Sequence, residues 1–197
     1  SGGGNAYIGG NYQGRLLADN DFNAKHITMD KDATVLADAK IQGDGGKIIL
    51  WSDDTTSVAG KLSANGGAVN GNGGLIETSG KLALNVSPEI NISATNPSKS
   101  GKAGLWLLDP NSLIVDDALA TTLSAALNIN DVTISTRSDS NNPQVPSGNY
   151  TQEQNGNIIF NNNLTPVQWN TENMFSVLAF NDIIFNGDKN DRTGASM

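Results

Sequence analysis

Three phrases, Gly45-Gly46-Lys47-Ile48-Ile49-Leu50-Trp51, Gly73-Gly74-Leu75-Ile76-Glu77 and Lys102-Ala103-Gly104-Leu105-Trp106-Leu107-Leu108, decide the reading of this chain. Each is a glycine corner followed by a short apolar run, and Gly46, Gly74 and Gly104 are spaced by 28 and 30 residues. Weaker copies are Gly3-Gly4-Asn5-Ala6-Tyr7-Ile8 and Gly156-Asn157-Ile158-Ile159-Phe160. Repetition at this interval marks a coiled repeat rather than a compact meander. Between the phrases lie further strand-like runs, among them Thr34-Val35-Leu36-Ala37, Lys61-Leu62-Ser63, Lys81-Leu82-Ala83-Leu84-Asn85-Val86, Ser112-Leu113-Ile114-Val115 and Asp131-Val132-Thr133-Ile134-Ser135. Most alternate apolar and polar, so one face looks inward.

Such short strands bury a core only when stacked. The predicted fold is therefore all-β: a right-handed parallel β-helix with one short side helix. At about 20 to 30 residues per coil the chain makes roughly seven to nine coils. Gly, Asn and Asp are placed at corners, where positive φ costs them least. The predicted interior is Ile48, Leu50, Leu62, Ile76, Leu84, Ile92, Leu105, Leu107 and Ile134.

Eighteen of the 22 glycines lie at or before Gly104 and 16 of the 26 asparagines after it, so the coil style changes there. One segment is expected over 1–197, with Gly-rich coils at 1–115, a helix insertion at 116–130 and Asn-rich coils at 131–197. The helix follows from Leu119, Leu123 and Leu127 behind Asp116 and Asp117, which can cap its start. Residues 138–154 hold two prolines and almost nothing apolar, and read as an excursion loop. The missing cap at either end suggests the middle of a longer rod.

Of 197 residues, 12 are Lys or Arg and 20 are Asp or Glu, giving a formal charge of -8. That balance lacks the basic stripe needed for nucleic acid or an anionic membrane, and no run is apolar enough for direct membrane insertion. With no cysteine and a single histidine, no cofactor or metal set is assigned.

The ordered motifs Gly45 to Asp54, Ser57 to Ala64, Gly71-Asn72-Gly73-Gly74-Leu75-Ile76-Glu77-Thr78-Ser79-Gly80 and Gly104-Leu105-Trp106-Leu107-Leu108-Asp109-Pro110 resemble the large exoproteins of two-partner secretion. These include filamentous haemagglutinin-like proteins, high-molecular-weight adhesins and haem- or haemopexin-utilisation exoproteins. Ile8 to Gly14, Asp131 to Thr136 and Asn157 to Phe160 are similar to flanking stretches of that family, so the resemblance runs to about Gly187. It implies a secreted or cell-surface bacterial protein, exported through an outer-membrane transporter, with a host surface, matrix or serum protein or a glycan as ligand. Threading a pore before folding also suits a chain without cysteine.

The excursion loop offers Asn141, Asn142, Gln144, Asn149 and Tyr150 for ligand contact. Asn85, Asn91, Asn149 and Asn163 head N-x-Ser/Thr sequons for glycosylation. His26 sits in a polar stretch and reads as a surface residue rather than a haem ligand. Trp51 and Trp106 read as core, whereas Trp169 stays open between packing and sugar stacking. Asp53 and Asp54 are adjacent and would face opposite ways, a poor catalytic pair. Glu77 reads as satisfying backbone donors at a corner and Asp109-Pro110 as a rigid turn, so no catalytic residue is assigned. The leading reading is a non-enzymatic adhesin or host-protein-binding scaffold, with a polysaccharide-acting β-helix enzyme or a ligand-free shaft as alternatives.

Overall fold

A computed structural model describes residues 1–16, 22–87, 91–95, 101–136, 156–161 and 165–186, with the backbone alone at 91 and 92. The chain winds through six stacked rungs. The first holds β1 (Asn5–Ile8), β2 (Ala24–Met29) and β3 (Thr34–Leu36). The second holds β4 (Lys47–Val58) and β5 (Lys61–Ser63), and the third β6 (Leu75–Gly80), β7 (Ala83–Val86) and β8 (Asn91–Ser93). The fourth holds β9 (Leu105–Leu108), β10 (Leu113–Val115) and α1 (Asp117–Leu127). The fifth holds β11 (Asp131–Ser135) and β12 (Ile158–Phe160), and the sixth β13 (Phe175–Leu178) and β14 (Ile183–Phe185).

Every strand pairing is parallel, and one sheet runs β1-β4-β6-β9-β11-β13 from end to end. Its register joins Ala6, Ile48, Ile76, Trp106, Val132 and Phe175 into a single inward column. The long β4 bends at Asp53-Asp54, so its second half pairs with β2 and β7 on another face. Two three-stranded sheets, β3-β5-β8 and β10-β12-β14, complete the walls. The parallel β-helix is thus what the glycine spacing predicted, with a shorter stack: six rungs make about five turns, not seven to nine. Two coils run longer than the sequence estimate, from Ala6 to Ile48 and from Val132 to Phe175.

Ile48, Ile76, Trp106, Leu108, Val132, Ile134 and Ile158 are buried in one continuous core, together with Leu50, Leu62 and Leu84. Burying such side chains is the main force holding the rungs together, at about 25 cal/mol per Å² of apolar surface. The predicted phase fails in β9. Leu105 is only partly buried, while Trp106 and Leu108 point into the column. Leu107 is buried, but on the opposite face of the sheet. An unbroken Leu-Trp-Leu-Leu run carries no alternation from which to read the phase. The side chain of Ile92 lies outside the described residues.

The helix extends over Asp117–Leu127, with Asp116 capping through the Leu119 N–H at 2.8 Å. As the leucine spacing predicts, α1 is a single short helix packed against the column. Leu119, Leu123 and Leu127 join the core cluster, and α1 touches β8, β10 and β11. It occupies the place where a fourth strand of the β3-β5-β8 sheet would lie. Fully buried Asn130 closes the junction, accepting from the Ala94 N–H at 2.9 Å and donating to the Ala126 carbonyl at 3.1 Å.

Corners use two devices. Amide and carboxylate oxygens accept main-chain N–H groups from the next coil: Asp44 from Asn72, Asn72 from Lys102, Asp38 from Asn65, and Asn65 from Thr95. The glycine doublets work by close approach, not by positive φ as the sequence suggested. Among described residues positive φ occurs at Gly9, Gly14, Gly43, Gly60, Gly71, Gly156 and Gln13, and not at Gly46, Gly74 or Gly104. A β carbon at Gly74 would run into the Gly46 carbonyl, and one at Gly104 into the Gly74 carbonyl.

Candidate functional site

The outward face of the end-to-end sheet should meet water, yet part of it is buried. Ile49, Glu77 and Leu107 form one outward ladder and Trp51 and Ser79 part of the next, with Asp109 one step further along. Ile49, Glu77 and Ser79 are fully buried, and Leu107, Trp51 and Asp109 nearly so. Over Trp51, Glu77 and Asp109 lies a strap formed by the described residues 9–16 and 22–23, which follow β1 and lead into β2. It contains a 3-10 turn, Tyr12–Gly14, capped by Asn11 through the Tyr12 N–H at 2.8 Å.

Glycines let the strap lie flat. Gly10 and Gly14 pass directly over the Trp51 ring, where any β carbon would strike the indole. Asn23 donates to the Gly14 carbonyl at 3.2 Å and to Asp53 at 3.0 Å, and Trp51 Nε1 donates to the same Asp53 oxygen at 3.4 Å. At the centre sits Gln13. Its backbone N–H is 3.2 Å from both carboxyl oxygens of Glu77, and its Nε2 donates to Asp109 at 3.3 Å. Beneath them the Ser79 hydroxyl accepts from the Asp109 N–H at 3.2 Å and bonds Glu77, while Ser135 bonds Asp109.

Two carboxyls held this deep away from water are expensive to ionise. Burial pushes Glu77 up to about 8, partly opposed by the bonds from Gln13 and Ser79, and Asp109 beside it raises it further. Burial likewise pushes Asp109 up to about 7 against the bonds from Gln13 and Ser135. Burial thus favours the protonated form at both groups.

From the sequence alone both residues read as having modest roles. Glu77 does satisfy a backbone donor, but that donor comes from the strap rather than a corner. Asp109 does precede a proline, but its side chain belongs to this buried pair. The glycine period held the missing signal: an offset of 30 residues sets Glu77 beside Leu107 and Ser79 beside Asp109, so two acids on one outward face converge.

The other candidates separate. The ligand-contact loop with Asn141, Asn142, Gln144, Asn149 and Tyr150 lies outside the described residues, as does Asn163. Asn85 is exposed on β7 and donates to the Ser57 hydroxyl at 3.1 Å, while Asn91 is described in β8 by its backbone. His26 is exposed on β2, 3.8 Å from Asp54, a pair open enough to water to add little. Asp53 and Asp54 serve different partners, Trp51 with Asn23 and His26 with Thr55. Trp106 is fully buried and donates to the Thr78 hydroxyl at 3.0 Å. Trp51 packs under the strap instead of in the column. Trp169 is partly exposed, edge-on to Phe175 with ring centres 5.9 Å apart. Among the described residues no three His, Asp or Glu side chains gather as a metal site, and no helix is long and apolar enough to cross a membrane. Neither the known family models nor the curated proteins contain a match to this chain.

Proposed function

We propose that this chain is a β-helical segment of a secreted bacterial surface exoprotein of the two-partner secretion type, serving as an adhesive or host-protein-binding scaffold without catalysis. The observation that carries this reading is the column itself. Each coil pairs its main chain with the one before and locks its corners with amide ladders and stacked glycines. A cysteine-free chain built this way can fold rung by rung as it emerges from an outer-membrane transporter, and a column of this kind is a rigid support from which recognition loops can be presented. The motif order at Gly45 to Asp54, Gly71 to Gly80 and Gly104 to Pro110 supports the same family. Host matrix or serum proteins, haem carriers among them, and surface glycans are the ligand classes it would meet.

The second reading, a polysaccharide-acting enzyme, has one observation on its side, the convergence of Glu77 and Asp109. Both are closed over by Gln13, so a sugar chain reaches them only with the strap displaced. The test is retention of host serum and matrix proteins on the immobilised chain, repeated with residues 138–154 shortened. The scaffold reading expects saturable retention that shortening abolishes while the β signal persists. Retention of nothing favours a ligand-free shaft, and polysaccharide cleavage that E77Q or D109N abolishes favours the enzyme.

A further inference from the structure

Asparagine followed by glycine is the dipeptide most open to self-cyclisation, because glycine sets no side chain in the way of its own nitrogen. Three such pairs lie together in the connection from β5 to β6: Asn65-Gly66, Asn70-Gly71 and Asn72-Gly73. Cyclisation makes two demands on each pair. The glycine N–H must be available to attack the asparagine Cγ, and the carboxamide must be able to turn towards it.

Two of the pairs are held on both counts by the corner ladders. The Gly66 N–H donates to the Thr95 carbonyl at 2.9 Å, and Gly66 is buried. The Asn65 carboxamide is fixed at both ends, donating to the Ser63 hydroxyl at 2.8 Å and accepting from the Thr95 N–H at 2.8 Å. In the neighbouring ladder the Gly73 N–H donates to the Lys102 carbonyl at 2.9 Å, while Asn72 accepts from the Lys102 N–H at 2.8 Å and donates to Asp44 at 3.1 Å. Asn70 is placed differently. Among the described residues its carboxamide has one contact, accepted from the Gly43 N–H at 3.3 Å, and that donor lies closer to the Asn70 main-chain carbonyl, at 2.9 Å. The Gly71 N–H has no hydrogen-bond partner among the described residues. Solvent access does not separate the pairs, since Asn72 is exposed like Asn70.

We infer that Asn70 is a self-modification site, losing ammonia to form a succinimide that hydrates to aspartate or isoaspartate, while the corner ladders keep Asn65 and Asn72 unreacted. The Gly71 nitrogen bonds to Asn70 Cγ, the Cγ–Nδ2 bond breaks, and the Gly71 proton leaves with the ammonia. Water then opens either imide C–N bond, giving the α-linked or the β-linked acid. Each event lowers the formal charge of -8 by one, to -9. The α-linked product keeps an oxygen for the Gly43 N–H, and the β-linked product lengthens the main chain beside the exposed residues 68–70, away from the buried Ala64 and Ile76. The rungs therefore stay stacked after the change.

All three asparagines share the tryptic peptide 62–81, so fragment ions compare them within one molecule. The folded chain is aged in mildly alkaline buffer beside a chain unfolded in guanidinium chloride, with time-zero digests subtracted. Conversion is read as a mass gain of about 1 Da at each asparagine, and electron-transfer fragmentation separates aspartate from isoaspartate. Asn70 should convert at least about tenfold faster than Asn65 or Asn72 in the folded chain, where ladder-held pairs react only through local opening, and the three should react alike once unfolded. Conversion of Asn65 or Asn72 as fast as Asn70 in the folded chain overturns the inference. So does an Asn70 that stays intact while the unfolded chain reacts, and so does a preference for Asn70 that persists unchanged on unfolding, since the ladders would then not set it.

Discussion

Replacing Gly74 with alanine probes the stacking most sharply, because the backbone angle there suits any residue. In a free chain the change is mildly favourable, since alanine has less conformational entropy to lose, by about 0.4 to 1 kcal/mol. The sign is therefore set by space alone. A β carbon would fall inside the Gly46 carbonyl and 3.0 Å from the Ala64 β carbon, both held in place by main-chain bonds from Gly74 to Ala64 at 2.8 Å and from Leu75 to Gly46 at 3.0 Å. Relief requires the second and third coils to separate locally, against a rung spacing of about 4.8 Å. Overpacking costs about 1 to 3 kcal/mol, and rigid backbone on the clashing side puts this case at the upper end. The net loss of about 2 kcal/mol lowers the melting midpoint by about 4 to 8 °C in a chain of this size. Thermal melts followed by circular dichroism measure it. Gly4→Ala is the control, since a β carbon there meets nothing within 4 Å, and its midpoint should stay at or slightly above wild type. A G74A midpoint equal to that of G4A would refute the close-approach explanation of the glycine corners.

Truncation should separate the two faces of β9: Trp106→Ala is expected to cost about 3 to 5 kcal/mol and Leu107→Ala about 2 to 4, whereas Leu105→Ala costs under about 1, read from denaturant midpoints. Asn130→Ala leaves the buried Ala94 N–H without its acceptor and should cost about 1 to 3 kcal/mol, with the helical signal weakened. Stability should also depend on pH in a defined direction. Glu77 and Asp109 have higher pKa values folded than unfolded, so their contribution is complete below about pH 4 and falls as pH rises towards 8. At about 1.4 kcal/mol per unit the potential loss is several kcal/mol. E77Q/D109N should flatten the profile of melting temperature against pH across that window; an unchanged slope means that other groups set it.

Where a residue type serves the main chain, the sequence was readable. The glycine doublets mark coil corners because no other residue lets two backbones approach so closely, and their spacing therefore reveals the parallel stack. Leucines four apart behind Asp116 reveal α1 for an equally local reason. The phase of β9 was not readable, because Leu107 on the outward face is buried like Trp106 and Leu108 on the inward one, and hydrophobicity loses its alternation. The strap itself, Gly9 to Asn23, carries no strand or helix pattern, and only the folded chain shows that its glycines are shaped to Trp51. Glu77 and Asp109 were each visible as acids near corners. Their meeting needed the exact register between β6 and β9, and their burial needed a segment from the first rung.

The scaffold and the meeting of Glu77 with Asp109 both depend on the rungs being stacked in this register, and one distance tests that directly. Tyr7 on β1 and Ser176 on β13 lie on the same outward ladder, through Ile49, Glu77, Leu107 and Thr133. Five steps of about 4.8 Å separate them by about 24 Å. The chain has no native cysteine, so spin labels can be placed at these two positions alone and the distance read by double electron–electron resonance. A single narrow population centred near 24 Å, within the few ångströms of label reach, is the predicted result. A broad distribution, or a peak displaced by two rungs or more, contradicts the column.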